Sequence, residues 1–315
     1  MSEPDRNELL RVRAPAKVNL TLEVLGRRPD GYHEIRTVMQ AVSLYDVLTF
    51  RRRHDGHLAL ECDTAAVPRG EDNLVLRAAR LLRQETGCAL GAEVHLVKRI
   101  PTGGGLGGGS SDAAVTLMAL AYLWELGLEQ AELLALAARL GSDVPFFIRG
   151  GTCLCEGRGE RLTRLCCPAP LHYVLMVPRV TVSTAEVYAA ADVTLTNRPH
   201  ASNNVRDALD SGDVSQVASC LHNDLQGPAL GLKERLEALW RELLDMREPA
   251  GVEGMMLSGS GACFFALMRD QRAARRAARA WAQRLGVRCV PVRSLPGWDA
   301  RVSPLTLGGH TCEHH

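Results

Sequence analysis

Apolar and polar residues alternate in the first stretch of the chain, where four apolar residues stand two positions apart: Val18, Leu20, Leu22 and Val24. This period of two predicts a half-buried β-strand over residues 11–25. The next segment, GRRPDGYHEI, contains Pro-Asp-Gly, which favours a tight turn, and the β-rich residues after it predict a second strand. Tyr32 and His33 therefore stand side by side at the exit of the turn.

Helical spacing replaces this alternation further along the chain. The segment EDNLVLRAARLLRQETG predicts an amphipathic helix, with Asp72 or Asn73 available as its N-cap and Gly87 at its end. AEVHLVKR then predicts a short strand. Two more helices are predicted in SDAAVTLMALAYLWELG and EQAELLALAARLG, and the compact turn SDVPFFIRGG follows them.

The pattern restarts beyond about residue 160. LHYVLMVP predicts an apolar strand, mixed helices extend through Trp240, and MMLSGSGACFFALM places a second glycine turn between two apolar runs. We predict two closely packed domains, residues 1–162 and residues 163–315. Whether the last segment returns to the first domain stays open.

Composition excludes several classes of function. The chain has 315 residues and a formal net charge of +1, so no strong field attracts nucleic acid or an anionic membrane. Its apolar runs are shorter than the roughly 20 residues needed to cross a bilayer. The polar start, MSEPDRNELL, lacks the order of a secretion signal, which favours a cytoplasmic protein. The ten cysteines are interpreted as small apolar residues, and the tail GHTCEHH is assigned no metal.

The segment RIPTGGGLGGGSSDAA has six glycines in seven positions, between a predicted strand and a helix that starts near Ser110 to Asp112. Backbone N–H groups in such a loop can turn towards a ligand, and the helix dipole adds a positive end, which favours phosphate. The alternative, a flexible linker, does not usually separate a strand from an apolar helix.

Other phosphate loops do not fit this segment. A Walker A loop needs a lysine that is missing here, and a dinucleotide site needs an acidic residue at a strand end about twenty residues on. Glu125 ends a helical segment instead. The loop and acid motifs of protein kinases are also missing.

The segment PTGGGLGGGSSDAA resembles the phosphate loop of the GHMP superfamily, which comprises galactokinase, homoserine kinase, mevalonate kinase and phosphomevalonate kinase. APAKVNLTLEVLGRRPDGYHEI and LSGSGACFFAL agree with it, and the order of the three blocks resembles the kinases that act on 4-diphosphocytidyl-2-C-methyl-D-erythritol. EDNLVLRAA, GSDVPFFIRGG and HNDL also fit, so the resemblance extends over most of the chain.

The resemblance implies an α+β fold with a ribosomal-protein-S5-like N-terminal domain and an α/β C-terminal domain. It also implies ATP and Mg²⁺ as cofactors and a small-molecule substrate with a cytidine diphosphate group, phosphorylated on its 2-hydroxyl in non-mevalonate isoprenoid biosynthesis. Neither nucleic acid nor membrane is expected as a partner, and the protein is expected to be a monomer or a weak homodimer.

Two charged residues are candidates for catalysis. Lys17 lies in an apolar strand, where an unpaired ammonium would be costly, so it needs a carboxylate or a phosphate; a merely structural ion pair is the alternative. Asp143 lies between Gly141 and Pro145 and is either a helix cap or a placed base. The resemblance implies that Asp143 accepts the proton of the substrate hydroxyl and that Lys17 orients the reacting groups.

The nucleotide side is predicted from the loop and its neighbours: Pro101, Thr102, Gly103, Gly104, Gly105, Leu106, Gly107, Gly108, Gly109, Ser110 and Ser111. Asn73 and Lys98 are further candidates, although a helix N-cap and a charged strand end explain them equally well. No protein ligand is assigned to the metal beyond the hydroxyls of Ser110 and Ser111. Asp112 stands where the family commonly has Asn, and its charge would weaken ATP binding slightly.

The substrate side rests mainly on aromatic residues. The resemblance implies that His33 hydrogen-bonds the cytosine, that Tyr32 stacks on it and that Tyr188 is a second stacking ring. Asn19 would contact the erythritol. The late glycine turn, Gly259, Ser260 and Gly261, would close on the phosphate end, or it is a simple hairpin.

Two other functions stay open: a sister kinase for homoserine or mevalonate, and a non-catalytic ligand sensor on the same fold. Tyr32 and His33 argue against the first, because neither alternative substrate has a base to stack. Lys17 and Asp143 argue against the second.

Overall fold

The structure is a computed structural model that describes residues 9–64, 67, 68, 70, 72–191, 201–247 and 250–296. Its first half contains, in chain order, β1 (Leu9–Arg27), β2 (His33–Arg53), β3 (Leu58–Cys62), α1 (Leu74–Thr86), β4 (Gly91–Val97), α2 (Gly108–Leu123), α3 (Gln130–Leu140), α4 (Val144–Arg149), β5 (Thr152–Gly157) and β6 (Arg161–Arg164). The second half contains β7 (His172–Val177), α5 (Thr184–Ala191), α6 (Ala201–Ser211), α7 (Val214–Ser219), β8 (His222–Asn223), α8 (Gln226–Leu232), α9 (Glu234–Asp245), β9 (Val252–Leu257), β10 (Phe264–Met268), α10 (Gln271–Leu285) and β11 (Arg288–Arg293).

The first sheet is built around the long antiparallel pair β1 and β2, joined by the Pro-Asp-Gly turn. Its strand order is β3-β4-β2-β1-β8, and β5 extends it by pairing with both β2 and β6. The pairing shifts register between Asn19 and Thr21, so the strand changes course beside the predicted site. The predicted strand over residues 11–25 is confirmed.

The expectation that β1 is only half buried is wrong. Arg11 and Arg13 near its start are exposed, whereas the polar residues in the middle of the strand are buried as fully as its apolar ones: Lys17, Asn19, Thr21 and Glu23. Tertiary structure is the reason, because the second half of the chain covers β1. The hydroxyls of Thr21 and Ser202 lie 2.8 Å apart, and Glu23 accepts the backbone N–H of Ala201 and of Ser202 at 3.2 Å.

Helices α1 to α4 pack on the first sheet and against one another, around a core that includes Phe50, Leu82, Leu120 and Phe146. Asn73 is the N-cap of α1 and accepts the N–H of Val75 at 2.8 Å, while Gly87 ends the helix in a left-handed conformation. The predicted caps of this helix are therefore confirmed. Helix α2 begins at Gly108, slightly earlier than expected, and it is buried almost all around.

The second sheet is antiparallel, in the order β11-β7-β10-β9. Residues predicted as an apolar strand form β7, and the late glycine turn joins β9 to β10. The two sheets share a core in which Val18 and Leu20 of β1 meet Leu175 of β7 and Phe265 of β10. The two halves of the chain are thus packed together through apolar contacts.

The mixed strands and helices confirm the predicted α+β class. The division after residue 162 falls within β6 and stays a prediction. Close to the end of the described chain, Ser294 bridges to Val42 of β2, and the N–H of Leu295 donates to the carbonyl of Ala41 at 2.9 Å. The rest of the predicted last segment, residues 297–315, lies outside the described residues, and so does the tail GHTCEHH.

None of the described helices combines the length and apolar character that a membrane span requires. The described cysteines are free thiols, of which Cys62, Cys153, Cys155, Cys167 and Cys263 are buried. Cys166 is exposed, so the interpretation as apolar core residues does not hold for every position.

Candidate active site

A cavity of about 650 Å³ lies between the two halves of the chain. It brings together all the residues predicted for catalysis and for the substrate side: Lys17, Asn19, Tyr32, His33, Asp143, Tyr188, Gly259, Ser260 and Gly261. They come from β1, the β1–β2 turn, the start of α4, helix α5 and the β9–β10 turn. Residues far apart in the sequence therefore line one continuous space.

A second cavity of about 380 Å³ adjoins the first across the glycine loop. It is lined by the predicted nucleotide-side residues Asn73, Lys98, Pro101, Thr102, Gly103, Gly104, Gly105, Gly107, Gly108, Gly109 and Ser110. Gly103, Gly105 and Gly107 line both cavities. The loop is thus a thin wall whose backbone faces both sides.

Two residues of the predicted loop do not line either cavity. Leu106 is fully buried, and its carbonyl accepts the backbone N–H of Lys17 at 3.0 Å. Ser111 is also fully buried. Leu106 therefore anchors the loop to β1 from behind.

The glycine loop rests on the β9–β10 turn. The hydroxyl of Ser258 donates to the carbonyl of Gly105 at 3.1 Å, and the N–H of Cys263 donates to the carbonyl of Gly104 at 3.2 Å. Gly105 has φ +73°, and a Cβ there would overlap the carbonyl oxygen of Ser258. Glycine is needed at this position because the two turns touch through their backbones.

Lys17 is held by a chain of hydrogen bonds across β1 and β2. Its ammonium donates to Asn19 Oδ1 at 2.5 Å, and the amide of Asn19 donates to the hydroxyl of Thr37 at 2.8 Å. The ammonium also lies 3.9 Å from Asp143 Oδ2. Burial lowers the pKa of Lys17, and the carboxylate of Asp143 opposes that shift.

Asp143 precedes α4, but its side chain makes no capping hydrogen bond to that helix. Its side chain is 31% exposed, whereas that of Lys17 is 4% exposed. Of the two alternatives for Asp143, the helix cap is therefore not what the structure shows. The carboxylate faces the large cavity, with the lysine behind it.

The aromatic residues form two separate pairs at the other end of this cavity. The rings of His33 and Tyr188 stack with centroids 4.8 Å apart and an interplanar angle of 27°. Tyr32 is 53% exposed, and the guanidinium of Arg158 lies 4.8 Å from the centroid of its ring. Tyr188 thus contacts His33 and Tyr32 contacts Arg158, while the implied roles of His33, Tyr32 and Tyr188 towards cytosine stay predictions.

Models of two parts of one family match the chain: the GHMP kinases N terminal domain at residues 73–151 and the GHMP kinases C terminal domain at residues 205–287. The 4-diphosphocytidyl-2-C-methyl-D-erythritol kinase of Pelotomaculum thermopropionicum is 45% identical, over 84% of this chain and 91% of that protein. The enzyme of the same name from Aromatoleum aromaticum is 43% identical, over 90% of this chain and 95% of that protein.

The chain belongs to the 4-diphosphocytidyl-2-C-methyl-D-erythritol kinase family. A crystal structure of 4-(cytidine 5'-diphospho)-2C-methyl-D-erythritol kinase superposes with a TM-score of 0.74 at 37% identity, covering 90% of this chain and 99% of that one. Homoserine kinase from Cytophaga hutchinsonii has the same TM-score, 0.74, at 19% identity, with 94% and 97% of the two chains covered, which shows the shared fold. The predicted GHMP fold and kinase class are confirmed.

The predicted nucleotide side of this kinase holds a buried ionic cluster next to the glycine loop. The ammonium of Lys98 donates to Asp46 and to Asp112, the latter at 2.8 Å. Asp46 also accepts the N–H groups of Arg99 at 2.6 Å and Ile100 at 2.8 Å. Lys98 is therefore occupied by two carboxylates, although its side chain lines the smaller cavity.

Asp112 lies inside α2, because the N-cap of that helix is Gly107. Burial raises the pKa of Asp112 to about 7, with Lys98 opposing the shift and Asp46 adding to it. Its Oδ1 atom is buried without a hydrogen-bond partner among the described residues. The negative charge that Asp112 is expected to place near the ATP phosphates is thus partly balanced by the ammonium of Lys98.

Sequence reasoning missed two residues of this site. Asp46 lies in β2 in a run of mixed residues, SLYDVLTF, and nothing local marks it as the partner of Lys98. Arg158 lies between Gly157 and Gly159 at a hairpin tip, where an isolated arginine is normally a solvated residue. Only the pairing of β5 with β2 places it beside Tyr32.

Proposed function

We propose that this kinase transfers the γ-phosphoryl group of ATP to the 2-hydroxyl of 4-diphosphocytidyl-2-C-methyl-D-erythritol, a step of non-mevalonate isoprenoid biosynthesis. The observation that carries the proposal is the position of Lys17 and Asp143 on the acceptor side of the glycine loop. The names of its relatives support the same acceptor.

Asp143 would act as the general base. Its carboxylate is accessible from the large cavity and has no competing capping bond, so it can accept the proton of the attacking hydroxyl. Lys17, fixed by Asn19 and Thr37, would orient that carboxylate and stabilise charge on the group in transfer. Positioning and charge neutralisation are the main requirements of phosphoryl transfer.

The glycine loop would hold the triphosphate. Its backbone separates the two cavities, so a nucleotide in the smaller one can present its last phosphate to the larger one. The start of α2 directly follows the loop and adds the positive end of a helix of 16 residues.

The residues present fit a magnesium ion carried by the nucleotide. Ser110 lines the smaller cavity, and the buried hydroxyl of Ser111 has no hydrogen-bond partner among the described residues. The described chain contains no cluster of three or more His, Cys, Asp or Glu side chains able to hold a metal. Ser110 would therefore assist the phosphates in holding the ion, which neutralises charge when bound, whereas Ser111 lies behind it and lines neither cavity.

The aromatic end would bind the cytosine. Tyr188 and His33 form a stacked platform, and Tyr32 offers a second ring beside it. Such rings suit a flat base and have no use for homoserine or mevalonate. This is the reason to prefer the cytidine-containing acceptor over the sister kinases.

The test is release of ADP in the presence of ATP and each of three acceptors: 4-diphosphocytidyl-2-C-methyl-D-erythritol, homoserine and mevalonate. We expect turnover with the first alone. Turnover with homoserine or mevalonate and none with the cytidyl compound would overturn the assigned substrate. Binding of both ligands with no ADP release from any acceptor would instead favour the ligand sensor.

The cellular location and the assembly remain predictions, namely a cytoplasmic protein that is a monomer or a weak homodimer. Equilibrium sedimentation over a hundredfold range of protein concentration tests the second of these.

A further inference from the structure

Arg158 is a basic residue of the large cavity that the proposed mechanism does not use. It lies at the tip of the β5–β6 hairpin, where its N–H donates to Glu160 Oε2 at 2.7 Å. The hairpin tip approaches the start of α4: a Cβ added to Gly159 would lie 3.6 Å from the carbonyl oxygen of Ser142, the residue before Asp143. The backbone of Arg158 is thus fixed close to the catalytic end of the cavity.

Its guanidinium points towards the opposite, aromatic end. It lies 4.8 Å from the centroid of the Tyr32 ring, at a distance typical of a cation–π contact. Arg158 therefore spans the region between the proposed site of the cytosine and the proposed site of the substrate 2-hydroxyl.

Arg158 forms no ion pair within 4 Å with a described carboxylate, although Asp30 is near enough for the positive charge of Arg158 to help lower the pKa of Asp30. The acids of the neighbouring turn bind other arginines: Asp30 pairs with Arg28 at 3.2 Å, and Glu34 pairs with Arg28 and with Arg161, the latter at 3.0 Å. Lys17, another cation of the cavity, faces Asp143. A cation in a cavity is suited to an anionic ligand when the acid nearest to it, here Asp30, is already paired with another arginine.

We propose that Arg158 is a specificity-determining residue that binds the diphosphate of the acceptor substrate. This inference rests on the proposed function, since the diphosphate joins the cytidine to the methylerythritol and has to lie between the two ends of the cavity. The planar guanidinium can donate two parallel hydrogen bonds to phosphate oxygens. The Tyr32 ring would contact the face of the guanidinium, while the N–H groups at the edge of the guanidinium donate to the phosphate.

The test compares Arg158→Met, which removes the charge, with Arg158→Lys, which keeps the charge and loses the planar fork. The control is Arg161→Met in the same hairpin, since Arg161 is 65% exposed and does not line the cavity. The measurements are KM for the cytidyl acceptor and for ATP, and the inhibition constants of cytidine diphosphate and of cytidine. Thermal unfolding midpoints verify that the variants fold.

In Arg158→Met we expect KM for the acceptor and the inhibition constant of cytidine diphosphate to rise roughly tenfold or more, as for a lost charged hydrogen bond. Cytidine inhibition and KM for ATP should change less than about twofold, and Arg158→Lys should be intermediate. An unchanged inhibition constant for cytidine diphosphate would overturn the proposal. Equal weakening of cytidine and cytidine diphosphate would overturn it too, because Arg158 would then support the base.

Failure of the proposed function gives a different result. The wild-type chain would then not phosphorylate the cytidyl compound at all. Calorimetric titration of wild-type protein and Arg158→Met with cytidine diphosphate would still decide whether Arg158 binds its phosphates.

Discussion

At the scale of single residues, the cost of burying Lys17 explains the arrangement around it. Its ammonium is almost inaccessible, and burial lowers its pKa, so the charged form needs compensation. Asn19 Oδ1 at 2.5 Å and Asp143 at 3.9 Å supply part of it. The longer distance to Asp143 leaves the carboxylate free to contact a substrate, which a tight ion pair would not.

Asp143→Asn tests the general-base role at this scale. The substitution keeps the size of the side chain but removes the group that accepts the proton, so we expect kcat to fall at least roughly a hundredfold. Calorimetry should give an unchanged affinity for a non-hydrolysable ATP analogue, because Asp143 lines the larger cavity and not the smaller one, which is the proposed nucleotide site. Near-normal turnover would contradict the assignment.

At the scale of secondary-structure elements, the glycine loop and the β9–β10 turn support each other. The carbonyls of Gly104 and Gly105 accept hydrogen bonds from Cys263 and Ser258. The wall between the two cavities therefore depends on a close backbone contact between two turns, in which Gly105 and Ser258 are 153 residues apart in the chain.

Gly105→Ala and Gly103→Ala form a matched pair for this contact. Both glycines have a positive φ, +73° and +67°, so alanine strains the backbone similarly at each. Only at Gly105 does the new Cβ meet Ser258, since nothing lies within 4 Å of a Cβ at Gly103. We expect Gly105→Ala to lower the free energy of unfolding by about 2 kcal/mol more than Gly103→Ala.

Urea denaturation of the two variants and the wild type measures this difference. KM for ATP should rise more in Gly105→Ala than in Gly103→Ala, because the loop must move away from Ser258. Equal destabilisation by the two substitutions would show that strain in φ, and not the contact between the turns, requires glycine at residue 105.

The same scale shows what the sequence could predict. Strand β1, the caps Asn73 and Gly87 and the glycine turn between β9 and β10 were predictable, because each has a signal within a few residues. Asp46, Arg158 and the stacking of His33 on Tyr188 were not. Their partners come from strands and helices that only the tertiary fold brings near, and no local pattern encodes such pairs.

At the scale of the whole molecule, β1 is the junction of the two halves. Ala16, Val18 and Leu20 belong to the core shared with the second sheet, while Thr21 and Glu23 bind the start of α6. The predicted alternation of β1 was correct as a strand pattern, but its polar positions turned out to serve contacts with the second half. The candidate active site lies along this same strand, so its geometry depends on how the halves pack.

A buried polar network fixes that packing elsewhere. The hydroxyl of Tyr173 in β7 donates to Gln40 Oε1 at 2.5 Å, and the amide of Gln40 in β2 donates to Thr152 Oγ1 at 2.9 Å. All three side chains are buried. The network therefore connects the second sheet to two strands of the first in a place that water does not reach, where an unmade hydrogen bond is costly.

Tyr173→Phe removes one hydroxyl from this network and leaves Gln40 Oε1 without its donor. We expect the free energy of unfolding, measured by urea denaturation, to fall by about 1–2 kcal/mol. Tyr122→Phe is the matched control, because Tyr122 is 52% exposed and its hydroxyl is not needed to satisfy a buried group. It should change the free energy of unfolding by less than about 0.5 kcal/mol.

A double-mutant cycle tests whether the Tyr173 hydroxyl acts between the halves through Gln40. If it does, Gln40→Leu should lower the free energy of unfolding less in Tyr173→Phe than in the wild type, because the acceptor removed from the variant has already lost its donor. Additive costs would show that the two side chains act independently and would contradict a role for their hydrogen bond in the packing of the two halves.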